Sequence, residues 1–80
     1  MAVAAYLLIQ TEVGSAASVA REVRNVPGVV RSEDVTGSYD VIARAEVDSV
    51  DELGRNVVAR LQLIEGITRT LTCIAVTLED

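Results

Sequence analysis

The chain repeats itself. A shift of 38 positions lays Val19 on Val57, Ala20 on Val58, Val23 on Leu61, Val26 on Ile64, Gly28 on Gly66, Val29 on Ile67 and Arg31 on Arg69. Each half reads as strand, helix, strand. Two copies are too few to stack as a solenoid. They do fit the split β-α-β arrangement, in which βαββαβ units form a four-stranded antiparallel sheet with two helices on one face. The fold class expected is therefore α+β and ferredoxin-like, with residues 1–80 as one domain.

The local patterns agree with that order. Val3 to Thr11 is apolar on both faces, with Tyr6-Leu7-Leu8-Ile9 at its centre, as a central strand covered on two sides would be. Ser15 is a candidate N-cap, and Ala16, Val19, Ala20, Val23 and Val26 follow on one face of a helix that Pro27 and Gly28 terminate. Val29 to Thr36 alternates Val29, Arg31, Glu33 and Val35 with Val30, Ser32, Asp34 and Thr36, and its charges mark an edge strand. Asp40 to Val47 alternates again, with Val41, Ala43, Ala45 and Val47 on the packed face.

Ser49-x-x-Glu52 has capping-box spacing, and Asp51 stands four before Arg55. Val50, Leu53, Val57, Val58, Leu61 and Ile64 give the second helix its buried stripe. Gly54 falls on that side, where it implies a close backbone approach. Ile67 to Leu78 is the fourth strand.

Half of the residues are apolar, with no Phe or Trp and two Tyr, which is more apolar surface than a small domain hides alone. One helix-free sheet face stays open, and a second sheet from another copy is the simplest cover. The net charge is −5, there is no Lys, and the seven Arg are scattered. Direct binding to nucleic acid or to an anionic membrane is disfavoured. The apolar N-terminal run, Met1 to Ile9, is too short to span a bilayer and lacks the basic start of a signal peptide, the first basic residue being Arg21, so a cytoplasmic location is expected.

Catalytic and metal chemistry find no constellation. There is no His, which removes Ser-His and Cys-His pairs and histidine metal sites. No cofactor is expected. Cys73, the single cysteine, lies in an apolar run and reads as a small buried hydrophobe. Unusual polar chemistry concentrates instead between the second and third strands, in Thr36-Gly37-Ser38-Tyr39-Asp40. Gly37 offers the turn a position tolerant of positive φ. Hydroxyls and backbone N–H groups there can hold a carboxylate, and Asp40 can pair with an ammonium. Hairpins also need such residues for turning alone.

The run Asp34 to Ala43, the run Glu65-Gly66-Ile67-Thr68-Arg69-Thr70-Leu71-Thr72 and Val26-Pro27-Gly28-Val29 together resemble the effector (RAM) domain of the Lrp/AsnC family. That resemblance covers nearly the whole chain. It implies a sheet-to-sheet dimer, rings of eight or ten subunits, and an amino acid or related metabolite bound between dimers. Carried over by position, the pocket uses Thr36, Gly37, Ser38, Tyr39 and Asp40, with Thr70 and Thr72 from the last strand. Full-length members carry an N-terminal helix-turn-helix. Here the first strand starts near Met1, so the chain resembles stand-alone members: a non-enzymatic sensing and oligomerisation module, with a DNA-binding Lrp/AsnC relative as a further partner. Two alternatives share the element order. One is a cofactor-independent dimeric α+β barrel enzyme using Tyr39 and Asp40. The other is an ACT-like amino-acid-binding domain with its ligand loop near Gly14.

Overall fold

A computed structural model describes residues 2–76. The order is β1 (Val3–Thr11), α1 (Ala16–Arg24), β2 (Val29–Asp34), β3 (Val41–Val47), α2 (residues 50–61) and β4 (Ile67–Ile74). The strands form one antiparallel sheet in the order β2-β3-β1-β4. This is the expected ferredoxin-like arrangement, with β1 central and β2 on an edge. β4 is described to Ile74, and Thr77 and Leu78 of the expected strand lie outside the described residues.

Alternation in β1 and β3 builds the core. Ala5, Leu7 and Ile9 pair with Ala45, Ala43 and Val41, and all six are buried against the helices. α1 adds Val19, Ala20 and Val23, and α2 adds Leu53, Val57 and Leu61. Each large aliphatic side chain so buried contributes about 1.5–3 kcal/mol relative to exposure. The opposite sheet face carries Tyr6, Leu8 and Gln10 of β1 beside Ile42 and Arg44 of β3.

The sequence repeat is also a repeat of backbone geometry. Gly28 and Gly66 precede β2 and β4 with φ of +99° and +102°. A Cβ on Gly28 would meet Val57 Cγ2 at 3.1 Å, and one on Gly66 would meet Val19 Cγ2 at 3.2 Å. Val19 and Val57 are themselves repeat partners, so each half's glycine is pressed against the other half's helix. Register shifts follow both glycines. β2 slips between Val29 and Arg31, and β4 slips between Ile67 and Arg69 opposite Gln10 and Thr11.

The β2 bulge corrects the expected facing of that strand. Val29 pairs Ala45 and Ser32 pairs Ala43, so these two share the helix side, while Arg31 and Glu33 lie on the open side. Simple alternation had placed Val29 with Arg31, because it cannot see one inserted residue. Ser32 is 3% exposed, and its Oγ donates to the Ala20 carbonyl oxygen at 2.9 Å.

The two helices begin and run differently. Ser15 precedes α1 but makes no side-chain cap bond. Ser49 Oγ accepts from the Glu52 N–H at 3.0 Å, Glu52 Oε1 accepts from the Asp48 N–H at 3.2 Å, and Arg55 pairs with Asp51 at 3.1 Å. Within α2, Leu53–Val58 is a π-helical segment, in which the Ala59 N–H donates to the Gly54 carbonyl. Its i→i+5 turns hold more than 3.6 residues, so Leu53, Val57 and Leu61, four apart, remain on one buried face. The expected stripe is corrected at two positions near the start of that segment. Val50 is 56% exposed. Gly54 is exposed with nothing within 4 Å of a built Cβ, so no close backbone approach occurs there.

Candidate functional site

The loop between β2 and β3 occupies residues 35–40. Its closing bond runs from the Val35 N–H to the Asp40 carbonyl oxygen at 2.8 Å. Gly37 has no positive φ, and a Cβ there would meet nothing within 4 Å. The expectation of a tight glycine-dependent turn is thus corrected: the connection is long enough to turn without left-handed backbone. Thr36, Gly37 and Ser38 are exposed, and Tyr39 and Asp40 are half-buried.

Asp40 fixes this loop to the end of β1. Its N–H donates to the Ile9 carbonyl at 2.9 Å, and its Oδ2 accepts from the Thr11 N–H at 2.8 Å. The carboxylate thereby continues the β1–β3 ladder past its last pair, Ile9 with Val41. Gln10 Nε2 adds a longer bond to the Ser38 carbonyl at 3.3 Å. These β1 residues were not expected at the site, since Gln10 and Thr11 read as ordinary strand positions.

Thr70 pairs Ile9 and Thr72 pairs Leu7, so Thr70 lies in the same row as Val41, across β1. Two strand spacings separate them, about 10 Å. The loop, the end of β1 and Thr70 therefore share one end of the sheet, whereas Thr72 sits one row further in and is exposed. Neither of two open clefts in the chain is lined by residues 36–40. One, of about 490 Å³, lies on the open sheet face and includes Tyr6, Arg31, Glu33, Ile42, Arg44 and Glu46. The other, of about 240 Å³, is lined by Gln62, Ile67, Thr68, Arg69 and Thr70.

On the open face, Arg44 Nη1 donates to Tyr6 Oη at 2.7 Å and Nε to Glu46 Oε2 at 3.1 Å. The guanidinium carbon is 5.3 Å from the Tyr6 ring centroid. The hydrogen bond to Glu46 raises the Arg44 pKa above its ordinary value, burial opposes this, and Tyr6 adds to it. Arg44 is a fixed cation. Cys73 stands opposite Tyr6 and is exposed, which corrects the expectation of a buried thiol. Its apolar neighbours in sequence alternate across an edge strand, so they do not enclose it. Among the described residues, no helix is long and apolar enough to cross a membrane.

The chain's likeness to known proteins follows the fold. An HTH-type transcriptional regulator of Pyrococcus horikoshii, PH1916, is 28% identical over 74 residues, covering 89% of this chain and 49% of that protein. The chain thus spans about half the length of this curated relative. The crystal structure of TTHA0845 from Thermus thermophilus superposes with a TM-score of 0.88 at 27% identity, covering 98% of both chains. The transcriptional regulator NMB0573 of Neisseria meningitidis, solved as an L-Met complex, superposes with a TM-score of 0.79 at 18% identity, covering 94% of this chain and 50% of that one. The sequence model of the Lrp/AsnC ligand binding domain matches residues 4–77. With that match over nearly its whole length, the chain belongs to the Lrp/AsnC ligand-binding domain family.

Proposed function

We propose that this domain is a non-enzymatic sensor, which binds an amino acid or related metabolite where protomers meet and reports it through assembly. Family membership supports the ligand class in outline. The observation that carries the reading is Asp40. Its Oδ2 is held by the Thr11 N–H, so the carboxylate is oriented before any ligand arrives. Its Oδ1 remains for an ammonium group, a charge-assisted contact. Backbone N–H groups and hydroxyls of Thr36, Gly37 and Ser38 receive the carboxylate, Tyr39 supplies a wall, and Thr70 and Thr72 approach from β4.

In this reading the open sheet face meets a second copy. Tyr6 and Ile42 are 42% and 36% exposed on it, an apolar load that a partner sheet would hide. Dimers then join at the loop end into rings of eight or ten, and ligand binding shifts that equilibrium only if it favours one assembly state. The acidic balance, −5 overall, disfavours direct DNA contact, so any effect on transcription would pass through a DNA-binding relative.

The test is a thermal-shift screen of the twenty amino acids at millimolar concentration, with mass measured by light scattering. The expected result is stabilisation by a small set of them with a change in assembly. Asp40→Asn keeps an acceptor for Thr11 while removing the charge, and should abolish the shift without unfolding the chain. No stabilisation by any amino acid would sink the proposal.

A further inference from the structure

The repeat assigns a meaning to the second cleft. Gln62, Ile67, Thr68, Arg69 and Thr70 line it, and the 38-residue shift lays them on Arg24, Val29, Val30, Arg31 and Ser32. In the first half the matching position is filled by the chain itself. Arg24, the last residue of α1, sends its Nη2 to the Ser32 carbonyl oxygen at 2.7 Å, partly buried. That carbonyl belongs to an edge strand, and the helix C-terminus beside it favours positive charge. In the second half Gln62 stands in Arg24's place. It is shorter and neutral, and the cleft stays open at about 240 Å³. Drug-sized pockets run to roughly 300–1,000 Å³, so this one suits a small molecule or a head group.

We infer that this cleft binds a small guanidinium-bearing zwitterion, its cationic head received by the Thr70 carbonyl as Ser32 receives Arg24. Arg69 does not forbid a cation, because Arg31 holds the same place beside Arg24. The difference lies in compensation. Arg31 pairs with Glu33 at 3.3 Å, and the repeat puts Leu71 where Glu33 stands. Arg69 therefore lacks that carboxylate, and the ligand's own carboxylate supplies it. A molecule with a guanidinium at one end and a carboxylate at the other satisfies both ends of the cleft. The inference stands on the repeat; it shares Thr70 with the pocket proposed at the loop, and Gln62 and Arg69 are its own.

The experiment is a ¹⁵N-resolved NMR titration of the intact chain at constant ionic strength with L-arginine, its neutral isostere L-citrulline, and agmatine, which has the guanidinium without the carboxylate. L-arginine should give saturable shifts at Gln62, Arg69 and Thr70. L-citrulline should bind at least tenfold more weakly, and agmatine should fall between them. Gln62→Arg refills the cleft from within; it should raise Tm by a few degrees and abolish the L-arginine shifts. Arg69→Gln should weaken L-arginine while leaving agmatine unchanged. Equal binding of L-citrulline, binding undiminished in Gln62→Arg, or no saturable shift at Gln62 and Arg69 would each overturn the inference. Shifts confined to residues 36–40, lost in Asp40→Asn and kept in Gln62→Arg, uphold the loop as the ligand site and overturn this cleft. Failure at the loop with success here does the reverse.

Discussion

The first half of the chain, β1-α1-β2, and the second, β3-α2-β4, share a sequence pattern and a backbone path but are finished differently. The first is closed. Ser32 is buried and bonded to Ala20, Arg24 ties the helix end to β2, and α1 is a regular helix over Ala16–Arg24. The second is open. At the equivalent positions stand Thr70, Val58 and Gln62, with a cleft beside β4 and a π-helical segment in the middle of α2. Beside its helix C-terminus, one half carries the signs of a structural brace. At the matching place the other keeps polar groups, edge-strand backbone and space free, which is where a ligand or a partner can act.

The sharpest way to break this comparison is at a feature the halves share. Gly28 and Gly66 both hold positive φ and both press on the other half's helix valine. Gly28→Ala and Gly66→Ala should each destabilise the fold by about 1–3 kcal/mol through backbone strain alone. Gly28→Ala should cost more, because its Cβ meets Val47 Cγ1 at 3.0 Å and Val57 Cγ2 at 3.1 Å, against 3.2 Å and 3.3 Å for the closest contacts at Gly66. Urea unfolding of both variants measures the order. Equal and negligible losses would mean that the two halves do not lean on each other there.

Smaller effects separate the halves. Ser32→Ala should cost about 1 kcal/mol, the ordinary net worth of a buried hydrogen bond. Thr70→Ala, its repeat partner, should stay within about 0.5 kcal/mol, as surface changes do. A matching loss at both sites would show that the second half is braced as the first is. Arg24→Gln should open the first-half cleft; because Arg31 keeps Glu33 there, the new cleft should take agmatine in preference to L-arginine, read as new titration shifts at Arg31 and Ser32.

These contrasts also show what the sequence could reveal. The repeat, the element order, the central β1, the edge position of β2 and the Ser49 cap were all legible, because each depends on spacing or composition within a short window. The bulges were not. One extra residue in β2 moves Val29 to Ser32's face, and alternation carries no record of it until Gly28 and Gly66 are seen to precede the same slip twice. Gly37 misled for a related reason: a glycine between strands signals positive φ only when the connection is short, and this one spans residues 35–40. Cys73 and Val50 are apolar by type but sit on an edge strand and a helix start, where exposure is decided by what lies beside them. The cluster Thr36–Asp40 was legible as chemistry, and its link to Thr11 was not, because that bond joins residues distant in sequence through a backbone N–H that no motif encodes.

The mildest test concerns the helices. The repeat sets Gly54 of α2 on Ala16 of α1, and nothing lies within 4 Å of a Cβ built on Gly54. If the glycine serves no packing purpose, Gly54→Ala removes only unfolded-state freedom and should stabilise the domain by about 0.4–1 kcal/mol. That corresponds to a Tm rise of roughly 2–8 °C for a domain of this size. The carbonyl of Gly54 accepts the i→i+5 bond from Ala59, so the backbone there already departs from α geometry. A loss of stability on Gly54→Ala would therefore mean that the π segment depends on glycine. The second half would then be tuned for an irregular helix, a stronger divergence from the first half than the open cleft alone implies.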